Sequence, residues 1–231
     1  MNLSSLLSTA AVAIFAIPAI AAQSVTTQPA QTAPKSIALS TADTAIIFKQ
    51  APSYPLAKCV VCDKPLPMPP VQIFDYVKNA RLFRLDAEGC KAAIDANPAP
   101  HIKKIDDAVI VAQKTTYPLK VSPISGKPID ASAVDYVWGT RLVRLAATDE
   151  VPVFQKDPAT PMNKIDASII EAQLATYPLK TCAVCNADLT KATSPVNYVY
   201  GVKLVRFCAP ACVKTFEGEP AKFSRAVNLV K

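Results

Sequence analysis

The residues best suited to chemistry are the cysteines, of which the chain has seven. Four of them form two close pairs near the C-terminus, Cys182-x2-Cys185 and Cys208-x3-Cys212, with 22 residues between the pairs. Two close pairs of thiolates are typical ligands of a closed tetrahedral zinc site, and the same ligands suit copper(I). The sequence therefore predicts a four-thiolate metal site, with the choice between zinc and copper(I) left open.

Two other uses of these cysteines stay open. Disulfide bonds are the first, but side chains at positions i and i+4 of a helix lie about 5–6 Å apart at Cβ. A disulfide needs roughly 3.5–4.5 Å, so Cys208 and Cys212 would not bond without unwinding a helical turn. The second use is thiol redox chemistry at Cys182 and Cys185, which lack the thioredoxin-like βαβ context. At the second pair, Cys208 and Cys212, nearby Arg206 and the helix N-terminus are expected to favour thiolates.

The elements that must position these thiols belong to a threefold repeat. Tyr-Pro-Leu begins a similar block at Tyr54, Tyr117 and Tyr177, at steps of 63 and 60 residues. An arginine and then a proline recur at matching places in each block, as expected for tandem copies of one unit. The predicted organisation is a signal peptide at 1–22, a flexible leader at 23–45, and repeats at 46–113, 114–173 and 174–231.

Each block has the pattern of a β-hairpin followed by a helix. Strand-forming residues flank Asn79, Gly139 and Gly201, residue types that tolerate a positive φ in a tight turn. After the proline of the first two blocks, apolar residues recur at helical spacing. The predicted class is α+β, built from tandem small modules of Cys-x2-Cys knuckle, hairpin and helix. The hairpin aromatics Tyr136, Trp138 and Tyr198 are expected to be core.

The first repeat has an incomplete set of thiols. Alignment on the repeated arginine places one carboxylate and three thiols at the four ligand positions, and this predicts a harder, weaker metal site. Alternatively, the carboxylate of Asp86 is an ordinary helix N-cap. The predicted ligands are Cys59, Cys62, Asp86 and Cys90.

The second repeat has no thiols at these positions, and we expect it to fold as a spacer that binds no metal in this way. The four residues are Ser122, Ser125, Ala146 and Glu150.

The third block resembles the TRASH and YHS domains. The resemblance covers Tyr177-Pro-Leu-Lys-Thr-Cys-Ala-Val-Cys, the hairpin from Tyr198 to Cys208, and Cys212-x3-Phe216-x3-Pro220. It implies a treble-clef-like metal knuckle and a role in heavy-metal sensing, trafficking or resistance. The first block matches in part, and the second only through its scaffold.

The N-terminal sequence and the composition narrow the range of possible functions. Residues 1–22 carry no charged side chain and contain an apolar stretch followed by small residues, which predicts a secretory signal and a periplasmic or extracellular protein. We expect no membrane-spanning segment after its removal. The net charge of +7 comes from scattered Lys and Arg without a basic block, so no nucleic-acid partner is expected. The sequence thus predicts an exported, non-enzymatic protein whose partner is a metal ion.

Overall fold

Three β-hairpins and six helices make up the part of the chain that the computed structural model describes, residues 39–68 and 72–223. This confirms the predicted α+β class, and no helix in these ranges is long and apolar enough to cross a membrane. The predicted signal peptide and most of the predicted leader lie outside the described residues. The helices are α1 Thr41–Gln50, α2 Lys91–Ala96, α3 Ala99–Gln113, α4 Glu150–Lys156, α5 Ala159–Leu174 and α6 Pro210–Gly218. The strands are β1 Phe74–Lys78, β2 Arg81–Leu85, β3 Val134–Trp138, β4 Arg141–Leu145, β5 Val196–Tyr200 and β6 Lys203–Phe207.

The three hairpins are the predicted ones, and each is an antiparallel pair of five-residue strands joined by two residues. Asn79, Gly139 and Gly201 all have a positive φ, between 52° and 68°. Two-residue hairpin loops require this conformation because it matches the twist of the flanking strands. The structure therefore confirms the turn positions in all three repeats.

A knuckle precedes each hairpin and has the same hydrogen bonds in every repeat. In the first, the backbone N–H of Cys59 donates to Lys64 O at 2.8 Å, and that of Asp63 donates to Cys59 O at 3.1 Å. Asp63 has a φ of 60°. The corresponding residues of the other knuckles, Gly126 and Asn186, also have positive φ. The knuckle therefore keeps the same backbone conformation whether it carries cysteines, as in the first and third repeats, or serines, as in the second.

The helix α1 begins inside the segment predicted to be a flexible leader, and the sequence analysis did not predict it. Ser40 caps its N-terminus by accepting a hydrogen bond from the backbone N–H of Asp43 at 3.0 Å. The helix α1 precedes the first knuckle just as α3 and α5 precede the second and third. Each knuckle and hairpin therefore follows a helix of its own.

Each of these preceding helices binds the next hairpin through a glutamine near its C-terminal end. Gln50 Nε2 donates to Ala80 O at 2.8 Å, and the backbone N–H of Leu82 donates to Gln50 Oε1 at 2.9 Å. The same two bonds join Gln113 to Thr140 and Leu142, and Gln173 to Val202 and Leu204. The predicted boundaries at 114 and 174 separate two of these glutamines from the hairpins they bind.

The segment after α1 is where the three hairpin turns meet. Thr140, in the second turn, is buried and donates to Gln50 O at 2.7 Å, and it lies 2.8 Å from Ser53 Oγ. In the third turn, a Cβ on Gly201 would lie 3.0 Å from the Pro52 Cβ, tighter than nine in ten real Cβ contacts. These contacts tie the hairpins to the first helix and fix the modules relative to one another.

The core of each module lies between its second strand and the helices that follow. In the first module the buried Phe83 and Leu85 pack with Ile94 of α2 and with Ile105 and Val109 of α3. The long helix α3 thus contributes to the first core and also binds the second hairpin.

The prediction that Trp138 is a core residue is wrong. Its side chain is 43% exposed, and its ring forms a T-shaped contact with Phe154 at a centroid distance of 5.6 Å. Trp138 is the last residue of its strand and lies beside the turn, in a sheet of only two strands. Tyr136 and Tyr198 are half-buried.

Candidate metal centres

The four thiols of the third module come from three local structures. Cys182 and Cys185 lie in the knuckle, Cys208 directly follows β6, and Cys212 lies in the first turn of α6. The helix begins with Pro210, whose missing N–H costs nothing at that position. The predicted arrangement of a knuckle pair and a helix-start pair is therefore what the structure has.

The thiols of this module meet at one point. Their four sulfur atoms all lie within 4.8 Å of one another. Cys185 Sγ is 3.4 Å from Cys208 Sγ and 3.8 Å from Cys212 Sγ, and the last two sulfurs are 3.6 Å apart. A tetrahedron with Zn–S bonds of about 2.3 Å has edges of about 3.8 Å, whereas a disulfide bond is about 2.05 Å long. The spacing matches that of sulfurs around one metal ion, and this group is close enough to hold one.

The surroundings of Cys182 stabilise its thiolate. The sulfur is fully buried, which alone would raise its pKa, but hydrogen bonds from the backbone N–H groups of Cys185, Cys208 and Val184 outweigh burial and lower the pKa to about 7. Backbone N–H groups therefore supply the stabilisation at Cys182. The help from Arg206 that was predicted for Cys208 and Cys212 is not seen, since the pKa values of both thiols are raised. The Arg206 guanidinium instead binds Asn197 Oδ1 at 3.0 Å and lies over the Tyr177 ring.

Two other thiols of the third module, Cys208 and Cys212, have raised pKa values. Burial raises the pKa of Cys212, and the neighbouring Cys208 sulfur raises it further. The contact with Cys185 raises the pKa of Cys208. Several thiols packed together cannot all ionise without a cation among them. A bound metal ion would supply that cation, and these two thiols would lose their protons when it binds.

The first module brings together the four residues predicted there, again with all ligand atoms within 4.8 Å. The Cys62 thiol donates to Asp86 Oδ1 at 3.1 Å, and Cys90 Sγ lies 3.4 Å from the same oxygen. A tetrahedron of mixed sulfur and oxygen ligands has S···O edges of about 3.5 Å, given Zn–S near 2.3 Å and Zn–O near 2.0 Å. This group is also close enough to hold a metal ion.

The structure does not support the alternative role of Asp86 as a helix cap. The short 3-10 turn Glu88–Cys90 has Ala87 at its N-cap, and no side chain caps it. Donation from the Cys62 thiol is the main cause that lowers the pKa of Asp86 to about 2. Burial, followed by the contact with Asp86, raises the pKa of Cys90 to about 12. The carboxylate is therefore an anion directed at the thiols.

In the second module a hydrogen-bonded carboxylate occupies the corresponding point. The buried Glu150 Oε2 accepts from Ser122 Oγ at 2.5 Å and from the backbone N–H of Ala146 at 3.0 Å. Burial alone would raise the pKa of Glu150, but hydrogen bonds from Ser122, Ser125 and Ala146 lower it. The four positions thus form a closed network in which Glu150 joins the knuckle to α4.

The sequence analysis missed the residues that hold each hairpin against its knuckle. The hydroxyl groups of Tyr54, Tyr117 and Tyr177 accept from the backbone N–H of the repeated arginine at 3.1–3.2 Å. Together with the three glutamines they form a Gln-x3-Tyr-Pro-Leu sequence that recurs in every repeat. The recurrence of this sequence could have identified these residues, and it marks where each structural unit begins.

No protein-family model, no curated protein and no solved structure matches the chain.

Proposed function

We propose that the protein binds heavy-metal ions, zinc or copper(I), through a tight site in the third module and a weaker site in the first. The observation that carries the proposal is the sulfur spacing of 3.4, 3.6 and 3.8 Å among Cys185, Cys208 and Cys212. Four thiolates suit both ions, whereas Asp86 makes the first site harder and less suited to copper(I). The resemblance to TRASH and YHS domains supports the same assignment.

The setting of this function is the periplasm or the extracellular space, and its purpose is metal trafficking, buffering or resistance. Residues 1–22 support export, because they have the composition of a secretory signal. A closed four-ligand site has no open position for water or substrate, which supports binding rather than catalysis.

The thiol chemistry also weighs against an oxidoreductase. A redox Cys-x2-Cys needs its low-pKa thiolate at the surface, where it can attack a partner disulfide. Here the thiol with the lowered pKa, Cys182, is fully buried, and the exposed member of the pair is Cys185. Burial of the nucleophile would block such an attack.

The test is elemental analysis of the protein purified from its own host compartment, with thiol counting on the same sample. We expect zinc or copper at up to two ions per chain and seven reactive thiols after the metal is removed. A metal-free protein with Cys182 and Cys185 oxidised would refute metal binding and leave disulfide cross-linking as the role of the cysteines.

A further inference from the structure

A large cavity lies beside the hairpins, and no residue of either metal centre lines it. Its volume is about 840 Å³, and α1, all three hairpin tips and α5 contribute to its walls. Sites for small organic molecules measure about 300–1,000 Å³.

The apolar part of the wall is aromatic. Phe48 of α1, Tyr136 and Trp138 of the second hairpin, and Tyr198 and Tyr200 of the third all line it. Trp138 forms a T-shaped contact with Phe154 and remains 43% exposed, although it is the largest side chain at the site. Aromatic faces from three separate modules make a surface on which a planar ring can stack.

The charged part of the wall is mainly cationic. Lys49, Arg81 and Arg141 line the cavity, together with the carboxylate of Asp166, which Arg141 Nη2 binds at 2.6 Å. Arg81 is likewise ion-paired, with Asp106. Lys49 is exposed and forms no ion pair with any residue that the structure describes. Lys49 is therefore the cation of the wall whose charge the described residues leave uncompensated.

We infer that this cavity is a binding site for a small organic molecule with an aromatic ring system and an acidic group. The ring would stack among Trp138, Tyr136 and Tyr200, and the acidic group would lie near Lys49. The inference goes beyond metal binding, since it uses no thiol and no residue of either metal centre.

The test uses the single tryptophan of the chain, because Trp138 is itself part of the wall. The zinc-loaded full-length protein is titrated with 1-anilinonaphthalene-8-sulfonate, an anionic aromatic probe, and energy transfer from the tryptophan is recorded. The neutral analogue N-phenyl-1-naphthylamine has the same ring system without the sulfonate. We expect saturable binding of one anionic probe per chain with energy transfer from Trp138, and binding of the neutral analogue weaker by a factor of about 3 to 5.

Two matched variants locate the probe. Lys49→Gln removes one cation from the wall, and we expect it to weaken binding of the anionic probe by a factor of about 3 to 5, the value of one partly exposed ion pair. Lys120→Gln removes an exposed cation from the second knuckle, which is not part of the wall, and should leave binding unchanged. Ala159→Phe, at the start of α5, fills part of the cavity and should weaken binding of both probes.

Three results would overturn the inference. Absence of saturable binding would mean that the cavity takes no such molecule. Equal affinity for the two probes, or equal effects of Lys49→Gln and Lys120→Gln, would show nonspecific adsorption to apolar surface. None of these results bears on metal content, so the two proposals can fail separately.

Discussion

Removing the Glu150 carboxylate tests whether its hydrogen bonds to Ser122 and Ala146 stabilise the second module. In Glu150→Ala the Ser122 hydroxyl and the Ala146 N–H lose their acceptor inside the protein. A buried polar group left without a partner costs about 1–3 kcal/mol. Because the Ala146 N–H is only partly buried, we expect a total loss of roughly 2–4 kcal/mol. That corresponds to a fall in Tm of about 5–15 °C for a chain of this size.

The assay is thermal and urea unfolding of the zinc-loaded full-length protein, followed by circular dichroism. Glu171→Ala is the matched control, because Glu171 is exposed on α5 and should change stability by less than about 0.5 kcal/mol. Glu150→Gln keeps one acceptor oxygen and should fall between the two. If Glu150→Ala unfolds like Glu171→Ala, the network does not support the module and the reasoning is wrong.

The same carboxylate predicts a pH dependence. The pKa of Glu150 is lower in the folded protein than in the unfolded chain, where it is about 4.3. A lowered carboxyl pKa stabilises the folded state above the unfolded-state pKa, and this contribution is lost as the pH falls through the folded-state pKa. The loss of stability below pH 4.3 should therefore be smaller in Glu150→Gln than in the wild-type protein.

Three further predictions concern the ligands and the turns. Asp86→Cys completes four thiolates in the first module and should tighten copper(I) binding there by more than it tightens zinc binding. Competition with a copper(I) chelator measures this, and an unchanged copper(I) affinity would contradict the ligand assignment. Because the pKa values of Cys208 and Cys212 are raised, metal binding must displace both protons, so zinc affinity should rise about 100-fold or more per pH unit between pH 6 and 8. A slope below one proton would mean that these thiols are not ligands. Gly201→Ala places a Cβ at a φ of 68° against the segment after α1 and should cost about 1–3 kcal/mol in urea unfolding. Gly89→Ala, with open space around it, should cost less than about 0.5 kcal/mol, and equal losses would contradict the packing described.

The features that the sequence predicted are those set by local chemistry. Glycine or asparagine between strand-forming residues is enough to place a hairpin, so Gly139 and Gly201 located the turns. Apolar spacing located α3 and α5, and cysteine spacing identified the four thiols that meet in the third module. Alignment of the repeats on their shared arginine identified the group of the first module. These signals depend on neighbours in the chain, which a sequence displays directly.

The features that the sequence did not predict depend on distant contacts. The bond of Gln50 to the first hairpin joins residues about 30 positions apart, and nothing local distinguishes this glutamine from a surface residue. The exposure of Trp138 follows from its position at the end of a strand, whereas its hydrophobicity predicts burial. From the sequence, the second module only lacked thiols at the four ligand positions. The hydrogen bonds of Glu150 to Ser122 and Ala146 form only when the fold brings these residues together.

The most direct test of the central claim is a chelator titration of the zinc-loaded full-length protein, followed by native mass spectrometry. We expect two zinc ions that leave in two steps, the ion of the first module before that of the third. Asp86→Ala should remove the early step alone, and Cys208→Ser should move the late step toward the early one. Loss of both ions in one step, or a chain that binds no zinc with all seven thiols reduced, would contradict the assignment of two metal centres of different strength.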